Sequence, residues 1–344
     1  MRFPKFLQQN GTIGFLAPSF GCAIEPYQSA FRNALKKWKD MGYQIKLGPN
    51  CYAAEGIGIS NTPQACASEV MDMFQDEEAD ILISCGGGEL MCEILPYVDF
   101  KKLAKIEPKW FMGYSDNTNL TFLLATISDM ASVYGPCAAT FGMEPWHESV
   151  EDAFSVLTGE KSVLTGYDLW EKESLKNAEN PYAPYNVTEA RVTRSYVGRE
   201  EVFDSVQFSG RLIGGCMDCL VNLLGTRFDH TKEFAEKYKE DGIIWFLEAC
   251  ELNVFAIRRA MWQMEEAGWF EHVKGFLLGR PLNGESMMGL DAYNAVLEVA
   301  GRKNVPVIMD VDLGHVAPMM PIVVGSYADV TVCGNDIKID MNWC

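Results

Sequence analysis

The sequence of 344 residues predicts an α/β fold whose N-terminal half contains a parallel sheet covered by helices on both faces. Two observations support this. Short apolar runs alternate with amphipathic runs over the first 135 residues, and turn or cap residues separate them. The predicted strands are Thr12–Ala17, Tyr43–Leu47, Ile81–Ser84, Trp110–Tyr114 and Ser132–Tyr134.

Each predicted helix between these strands has a local signal. Residues 27–41 place Phe31, Leu35 and Trp38 on one helical face, and Gly42 follows as a stop signal. Thr62-Pro63 is an N-cap residue followed by a first-turn proline, which predicts a helix that runs to about residue 76. The third predicted helix is 117–130.

The second half of the chain predicts another domain. Charged residues, Asn and Pro accumulate in 171–184, and the β-rich runs 186–192 and 202–208 follow. The helices predicted after Arg211 are 216–225, 254–267 and 290–300, and the strands are 243–248, 275–278, 305–309, 322–332 and 337–340. We therefore expect an N-terminal α/β domain with a parallel sheet (1–165), a linker and β-rich connection (166–208) and a C-terminal domain (209–344).

Charge and composition exclude several classes of function. The chain has 29 Lys+Arg against 47 Asp+Glu, a net charge of −18, which argues against nucleic-acid binding and against docking on anionic membranes. No run approaches the ~18 apolar residues of a membrane span, and the N-terminus has no convincing secretory signal. A small molecule or peptide in a concave site is the remaining class of partner.

The cysteines predict a reducing compartment. There are eleven, an odd number with scattered spacing, which is typical of free thiols in the cytoplasm. Cys216 and Cys219 form one C-x-x-C, but a structural zinc site needs two more ligands, and none lies nearby in the sequence. Structural thiols on an apolar helix are the favoured interpretation, and a redox motif stays open.

Ser115 is the first candidate for chemistry. It lies in Gly113-Tyr114-Ser115-Asp116-Asn117, between a predicted strand and a predicted helix. A serine in such a turn is exposed at the end of the strand, and the helix N-terminus directs N–H groups towards it. The alternative is that Ser115 or Asp116 only caps the helix.

Three further segments follow predicted strands. Gly86, Gly87 and Gly88 allow a close backbone approach and can supply N–H donors to an oxyanion, or they form a plain tight turn. Glu248 ends a buried strand, where a carboxylate needs a partner. His315 is one of only four histidines and lies on a loop at a strand end, where open α/β sheets place function, although a buried structural histidine is the alternative.

These residues supply the parts of a serine hydrolase in the chain order Ser, Glu, His. At them the chain resembles the LD-carboxypeptidase family of serine peptidases, which includes murein tetrapeptide carboxypeptidases and microcin C self-immunity carboxypeptidases. The resemblance runs nearly end to end. The matching motifs are Thr12–Ser19, Gly87-Gly88, Leu95-Pro96-Tyr97-Val98-Asp99, Gly113–Thr118, Leu212–Gly215, Phe246-Leu247-Glu248 and Gly314-His315.

The resemblance implies a triad of Ser115, Glu248 and His315, and an oxyanion hole formed by the backbone N–H groups of Gly88 and Asp116. It also implies an N-terminal Rossmann-like domain, a C-terminal swivelling β/β/α domain, a homodimer, and no metal or other cofactor. Gly87 and Glu89 are candidates for substrate binding. The chain departs from the family at Cys216, where Asn is usual, and after Gly88, where the immunity branch has Asn and Ser.

We expect a cytoplasmic serine carboxypeptidase that acts on a small peptide or peptidyl conjugate. The first candidate substrate is the L,D bond of a murein tetrapeptide. The second is a peptidyl- or aminoacyl-nucleotide of the microcin C type. A protein that binds a small molecule without catalysis is the alternative of another class.

Overall fold

The computed structural model describes residues 1–343, which divide into two compact units. Unit 1 comprises Met1–Lys161 and Glu173–Asn186, and unit 2 comprises Ser162–Lys172 and the chain from Val187 onward. Residues 166–208, expected as a connection, thus contribute to both units. No helix among residues 1–343 is both long enough and apolar enough to span a membrane.

Unit 1 contains a parallel sheet with helical connections, as the sequence predicts. Its strands lie side by side in the order β5-β4-β3-β1-β2. The strands are β1 (Thr12–Leu16), β2 (Gln44–Leu47), β3 (Ile81–Ser84), β4 (Phe111–Gly113) and β5 (Ser132–Tyr134). The α-helices are α1 (Tyr27–Asp40), α2 (Pro63–Gln75), α3 (Phe100–Leu103), α4 (Thr118–Thr126) and α5 (Glu148–Thr158).

The local signals predicted for unit 1 are present. Helix α1 buries Phe31, Leu35 and Trp38 on one face. The side chain of Thr62 accepts a hydrogen bond from the N–H of Ala65 and caps α2. All four residues of β3 are buried, so the strand is covered on both faces. Because the strands are parallel, the loops after β1, β3 and β4 emerge at one edge of the sheet.

Unit 2 is built on a nine-stranded sheet in the order β10-β9-β14-β13-β12-β11-β16-β17-β6. The strands of this sheet are β6 (Val163–Thr165), β9 (Arg194–Val197), β10 (Glu200–Val202), β11 (Val206–Cys216), β12 (Ile243–Glu248), β13 (Val273–Gly279), β14 (Pro306–Val311), β16 (Tyr327–Cys333) and β17 (Asp336–Asn342). Strands β7 (Leu169–Glu171) and β8 (Val187–Ala190) form a separate two-stranded sheet, and β15 (Ile322–Val324) lies outside the nine-stranded sheet. The α-helices are α6 (Met217–Leu223), α7 (Thr231–Lys237), α8 (Val254–Glu266) and α9 (Ala292–Ala300).

Strands β11 to β14 are parallel and form the centre of this sheet. The predicted β-rich run 202–208 is wrong in extent, because β11 continues through three glycines to Cys216. Gly214 has a φ of +151°, and a Cβ on it would lie 1.7 Å from the carbonyl oxygen of Phe246, so only glycine permits this close pairing of β11 with β12. Helices α5 and α7 were not predicted.

Candidate active site

Ser115 follows β4 at the edge of the unit 1 sheet. Its φ is +62°, a left-handed conformation that costs free energy in a residue other than glycine. Its backbone N–H donates a hydrogen bond to the hydroxyl of Tyr134 at 3.2 Å, which helps to fix the turn. Neither Ser115 nor Asp116 caps the following helix, because the N-cap residue of α4 is Asn117. A strained serine between strand and helix is the arrangement typical of a nucleophile elbow.

The glycine loop passes directly beside this serine. A Cβ added to Gly87 would lie 3.0 Å from Cβ and 3.1 Å from Oγ of Ser115, so the loop can approach only because the residue is glycine. A Cβ on Gly88 would lie 2.1 Å from the hydroxyl oxygen of Ser19. Among residues 1–343 the N–H of Gly88 has no hydrogen-bond acceptor. That N–H is therefore available to an oxyanion.

Asp116 stabilises the turn through buried hydrogen bonds. Its side chain is 3% exposed, and its Oδ2 accepts hydrogen bonds from the hydroxyl of Ser19 at 2.6 Å and from the N–H of Met91 at 2.9 Å. Its Oδ1 accepts from the side-chain amide of Asn119 at 3.0 Å. Burial raises the pKa of Asp116 to about 6, although the hydrogen bonds from Ser19 and Met91 oppose the shift. The buried carboxyl thus ties the glycine loop to the turn that carries Ser115.

Glu89, the other proposed substrate-binding residue of this loop, is exposed. Its N–H donates a hydrogen bond to the carbonyl oxygen of Gly58 at 3.0 Å, and this bond holds the backbone of the glycine loop at Glu89. The charge of Glu89 also contributes to the raised pKa of Asp116.

Unit 2 brings Glu248 and His315 together. Glu248 is the last residue of β12 and is 2% exposed, while His315 lies on the loop that follows β14. The imidazole Nδ1 lies 2.8 Å from Oε2 of Glu248. Because a carboxylate only accepts, Nδ1 carries a proton, and Nε2 is the nitrogen left to act as a base. The pair satisfies the expectation that a carboxylate buried at this strand end has a partner.

Two glycines make room for this pair. A Cβ on Gly314, where φ is +85°, would lie 2.4 Å from Oε2 of Glu248. A Cβ on Gly279 would lie 3.0 Å from Cβ of Glu248 and 2.4 Å from the carbonyl oxygen of Leu313. A larger residue at either position would require the side chain of Glu248 or the backbone at Leu313 to shift.

The charge of Glu248 controls the ionisation of His315. Burial by itself lowers the pKa of His315, but the negative charge of Glu248, with hydrogen bonds to Cys250 and Glu248, outweighs burial and raises the pKa well above its usual value. Glu248 therefore stabilises the imidazolium, which is the form that a general base takes after it removes a proton.

The loop that carries His315 is anchored by an ion pair that was not predicted. Asp312 is fully buried and pairs with Arg280, which is 7% exposed. The other carboxylate oxygen of Asp312 accepts from the N–H of Tyr167 at 2.8 Å, and its carbonyl oxygen accepts from the N–H of Met320. The guanidinium also lies over the ring of Trp170, 5.4 Å from its centroid. These contacts hold the backbone three residues before His315.

Two other histidines have different partners. The charged residues around His147 and His272 in the sequence predict solvated side chains. This is wrong for His147, which is half-buried and caps α5 by accepting a hydrogen bond from the N–H of Ser149 at 3.1 Å. Burial lowers the pKa of His147. His272 is exposed beside Glu236, as expected.

Family models decide the assignment. The model of the LD-carboxypeptidase N-terminal domain matches residues 13–135, and that of the LD-carboxypeptidase C-terminal domain matches residues 209–330. Together the matches cover more than two thirds of the chain. The chain belongs to the LD-carboxypeptidase family. This membership supports a carboxypeptidase, and hence a hydrolase, as the function.

Individual LD-carboxypeptidase relatives are distant but cover nearly the whole chain. The microcin C7 self-immunity protein MccF of Escherichia coli is 24% identical over 95% of this chain and 92% of its own. A Bacillus subtilis protein provisionally named a murein peptide carboxypeptidase is 24% identical over 94% of this chain and 90% of its own. A solved structure of MccF with aspartyl sulfamoyl adenosine has a TM-score of 0.79 at 21% identity, with 98% of each chain covered. The fold is thus that of the MccF-like LD-carboxypeptidases.

Proposed function

We propose that this protein is a serine-type LD-carboxypeptidase with Ser115, Glu248 and His315 as its catalytic triad. The observation that carries the proposal is the buried pair of His315 and Glu248, which leaves Nε2 as a base whose charged form is stabilised. The strained turn at Ser115, beside a glycine loop with an available N–H, supports the other half. The N-terminal domain would carry the nucleophile, and the C-terminal domain the glutamate and histidine.

In the proposed reaction, Oγ of Ser115 attacks the carbonyl carbon of the amide next to the C-terminal residue. His315 removes the hydroxyl proton through Nε2, and Glu248 stabilises the resulting imidazolium. The N–H groups of Gly88 and Asp116 donate to the oxyanion of the tetrahedral intermediate. The imidazolium then protonates the leaving amine, and water attacks the acyl-enzyme in a second cycle that returns the serine.

We propose the L,D bond of a murein tetrapeptide as the substrate, with release of D-alanine. The murein-related name of the Bacillus subtilis relative and the activity implied by the family support this choice. The test is mass spectrometry of murein tetrapeptide incubated with the protein. We expect one equivalent of D-alanine and the tripeptide, and no product with Ser115→Ala. Full activity in a folded Ser115→Ala protein would refute the role of this serine.

A peptidyl- or aminoacyl-nucleotide is the second candidate substrate. It is favoured by the similarity to MccF, which has been solved with aspartyl sulfamoyl adenosine. The departures after Gly88 and at Cys216 leave the choice between substrates to experiment. Parallel incubations with the tetrapeptide and with an aminoacyl-nucleotide conjugate, compared by kcat/KM, decide between them.

A non-catalytic binding protein makes a different prediction. A fluorophosphonate probe would then fail to label Ser115, whereas labelling mapped to this residue would exclude that alternative.

We further propose a homodimer in the cytoplasm, which the family resemblance and the scattered thiols support. Light scattering of the purified chain tests the dimer, since a monomer at micromolar concentration would contradict it.

A further inference from the structure

Three potential metal ligands meet in unit 2. Cys216, Glu248 and His315 each offer one donor atom, and these atoms all lie within 4.8 Å of one another. The arrangement follows from the sheet, because Cys216 ends β11 directly opposite Glu248 on the neighbouring strand β12. Glu248 in turn holds His315 through the hydrogen bond at Nδ1. Residues that are 32 and 67 positions apart in sequence therefore form one cluster.

The chemistry of these donors suits a thiophilic divalent cation. Cysteine sulfur, imidazole nitrogen and carboxylate oxygen are the ligands that Zn²⁺ takes in tetrahedral sites. Bonds of about 2.0–2.3 Å place such ligand atoms roughly 3.3–3.8 Å apart. Ligand atoms up to 4.8 Å apart must therefore approach by roughly 1 Å, and the 2.8 Å contact between Nδ1 of His315 and Oε2 of Glu248 must lengthen. Cys216 and Glu248 are each 2% exposed, which keeps two of the ligands out of competition with bulk water.

The surroundings add further donors and negative charge. The thiol of Cys250 is hydrogen-bonded to His315, and the thiol of Cys219 to Cys216. The thiol of Cys216 also donates to Oδ2 of Asp218 at 3.3 Å. The thiol of Cys250, which contacts His315, or a water molecule would supply the fourth ligand of a tetrahedral site.

We propose that Cys216, Glu248 and His315 form an inhibitory site for a thiophilic divalent cation. Binding releases the proton of the Cys216 thiol and one proton of the His315 imidazolium, and it involves no change of oxidation state. A cation on Nδ1 of His315 leaves the ring proton on Nε2, and a cation on Nε2 occupies its lone pair. In either case the imidazole no longer accepts a proton, so the proposed hydrolysis stops. The binding itself does not rest on the proposed function, whereas the inhibition does.

Binding is tested with Zn²⁺ by equilibrium dialysis of the full chain, and with Cd²⁺ by the ultraviolet band of a cadmium thiolate. We expect Cys216→Ser to weaken Zn²⁺ binding by more than the roughly 10–100-fold that outer-shell partners contribute, and to lose most of the Cd²⁺ band. Cys333→Ser, which changes an exposed thiol at the end of β16, is the control and retains both. Equal Zn²⁺ affinity in Cys216→Ser and the wild type would overturn the proposal.

Inhibition is tested by the ratio of hydrolysis rates with and without Zn²⁺, each variant being compared with its own metal-free rate. Zn²⁺ should strongly reduce the hydrolysis rate of the wild type and of Cys333→Ser. At the same Zn²⁺ concentration, the reduction for Cys216→Ser should be at least about tenfold smaller. Cys216→Ala repeats the measurement, and thermal unfolding checks that both variants fold. If no substrate is hydrolysed, the proposed function fails while dialysis still decides the metal site. Hydrolysis without Cys216-dependent binding would refute the metal site alone.

Discussion

Glu248→Gln should lower the pKa of His315 by several units. The imidazole Nδ1 and the carboxylate Oε2 lie 2.8 Å apart, and the side chain of His315 is only 13% exposed. Two unit charges at this distance interact by about 6 kcal/mol at an effective dielectric constant of 20, which corresponds to about four pKa units. Glutamine keeps the size and an oxygen acceptor but removes the charge, so burial and the contact with Cys250 remain to act on the pKa of the ring.

The direction of the pH dependence follows from the imidazolium form of His315, which the charge of Glu248 stabilises. With Glu248 present, His315 has a raised pKa, so the ring stays protonated to higher pH and the proposed hydrolysis rises towards alkaline pH. The pair stabilises the fold fully below the ordinary histidine pKa, and this contribution is lost as pH rises through the raised value. In Glu248→Gln the acid limb of the kcat/KM profile moves to lower pH, while the maximal rate falls because the imidazolium loses its counter-charge.

The direct assay is NMR titration of the histidine ring protons. Since the chain has only four histidines, a His315→Asn spectrum assigns the resonance. Glu236→Gln is the matched control, because it removes a carboxylate 3.3 Å from the exposed His272 and should leave the titration of His315 unchanged. A titration of His315 that is the same in Glu248→Gln and the wild type would refute the electrostatic coupling.

Three further predictions concern the residues around the turn of Ser115 in unit 1 and the loop of His315 in unit 2. Asp312→Ala leaves Arg280 buried without its carboxylate and should lower the free energy of unfolding by about 3–5 kcal/mol in urea titrations; a loss below about 1 kcal/mol would contradict the anchoring role. Gly87→Ala places a methyl group 3.1 Å from Oγ of Ser115 and should lower kcat/KM at least about tenfold by displacing the nucleophile; unchanged kinetics would show that the loop yields. Because the folded pKa of Asp116 is raised to about 6, its protonated form is favoured, so the wild type should lose about 3 kcal/mol relative to Asp116→Asn between pH 3 and pH 7. Parallel pH dependences of unfolding in the two proteins would contradict the buried carboxyl.

Much of unit 1 could be predicted because its signals are local. The apolar run 81–84 and the short run 132–134 are strands with the predicted bounds, since buried parallel strands consist of continuous apolar residues. His315 stood out because histidines are few and because it follows a strand end. Glu248 stood out because an ionised carboxylate after an apolar strand requires a partner.

What was missed depends on contacts between distant segments. The pairing of Asp312 with Arg280 joins residues 32 positions apart through neighbouring strands, and no spacing rule connects them. The sequence does not predict the cluster around Cys216, because its ligands are not near one another in the sequence. The register of β11 against β12 brings Glu248 beside Cys216. The glycines at the end of β11 concealed the strand, because glycine has a low strand propensity unless a close backbone approach requires it.

The central claim is that His315 activates Ser115 as a nucleophile, and the rate of fluorophosphonate labelling tests it most directly. We expect the probe to label the wild type at Ser115, as mapped by peptide mass spectrometry. We expect His315→Asn to reduce the labelling rate by about 10²–10⁴-fold. The Glu236→Gln protein should be labelled at the wild-type rate. Labelling of Ser115 at equal rates in the wild type and in His315→Asn, or no labelling of Ser115 at all, would contradict the claim.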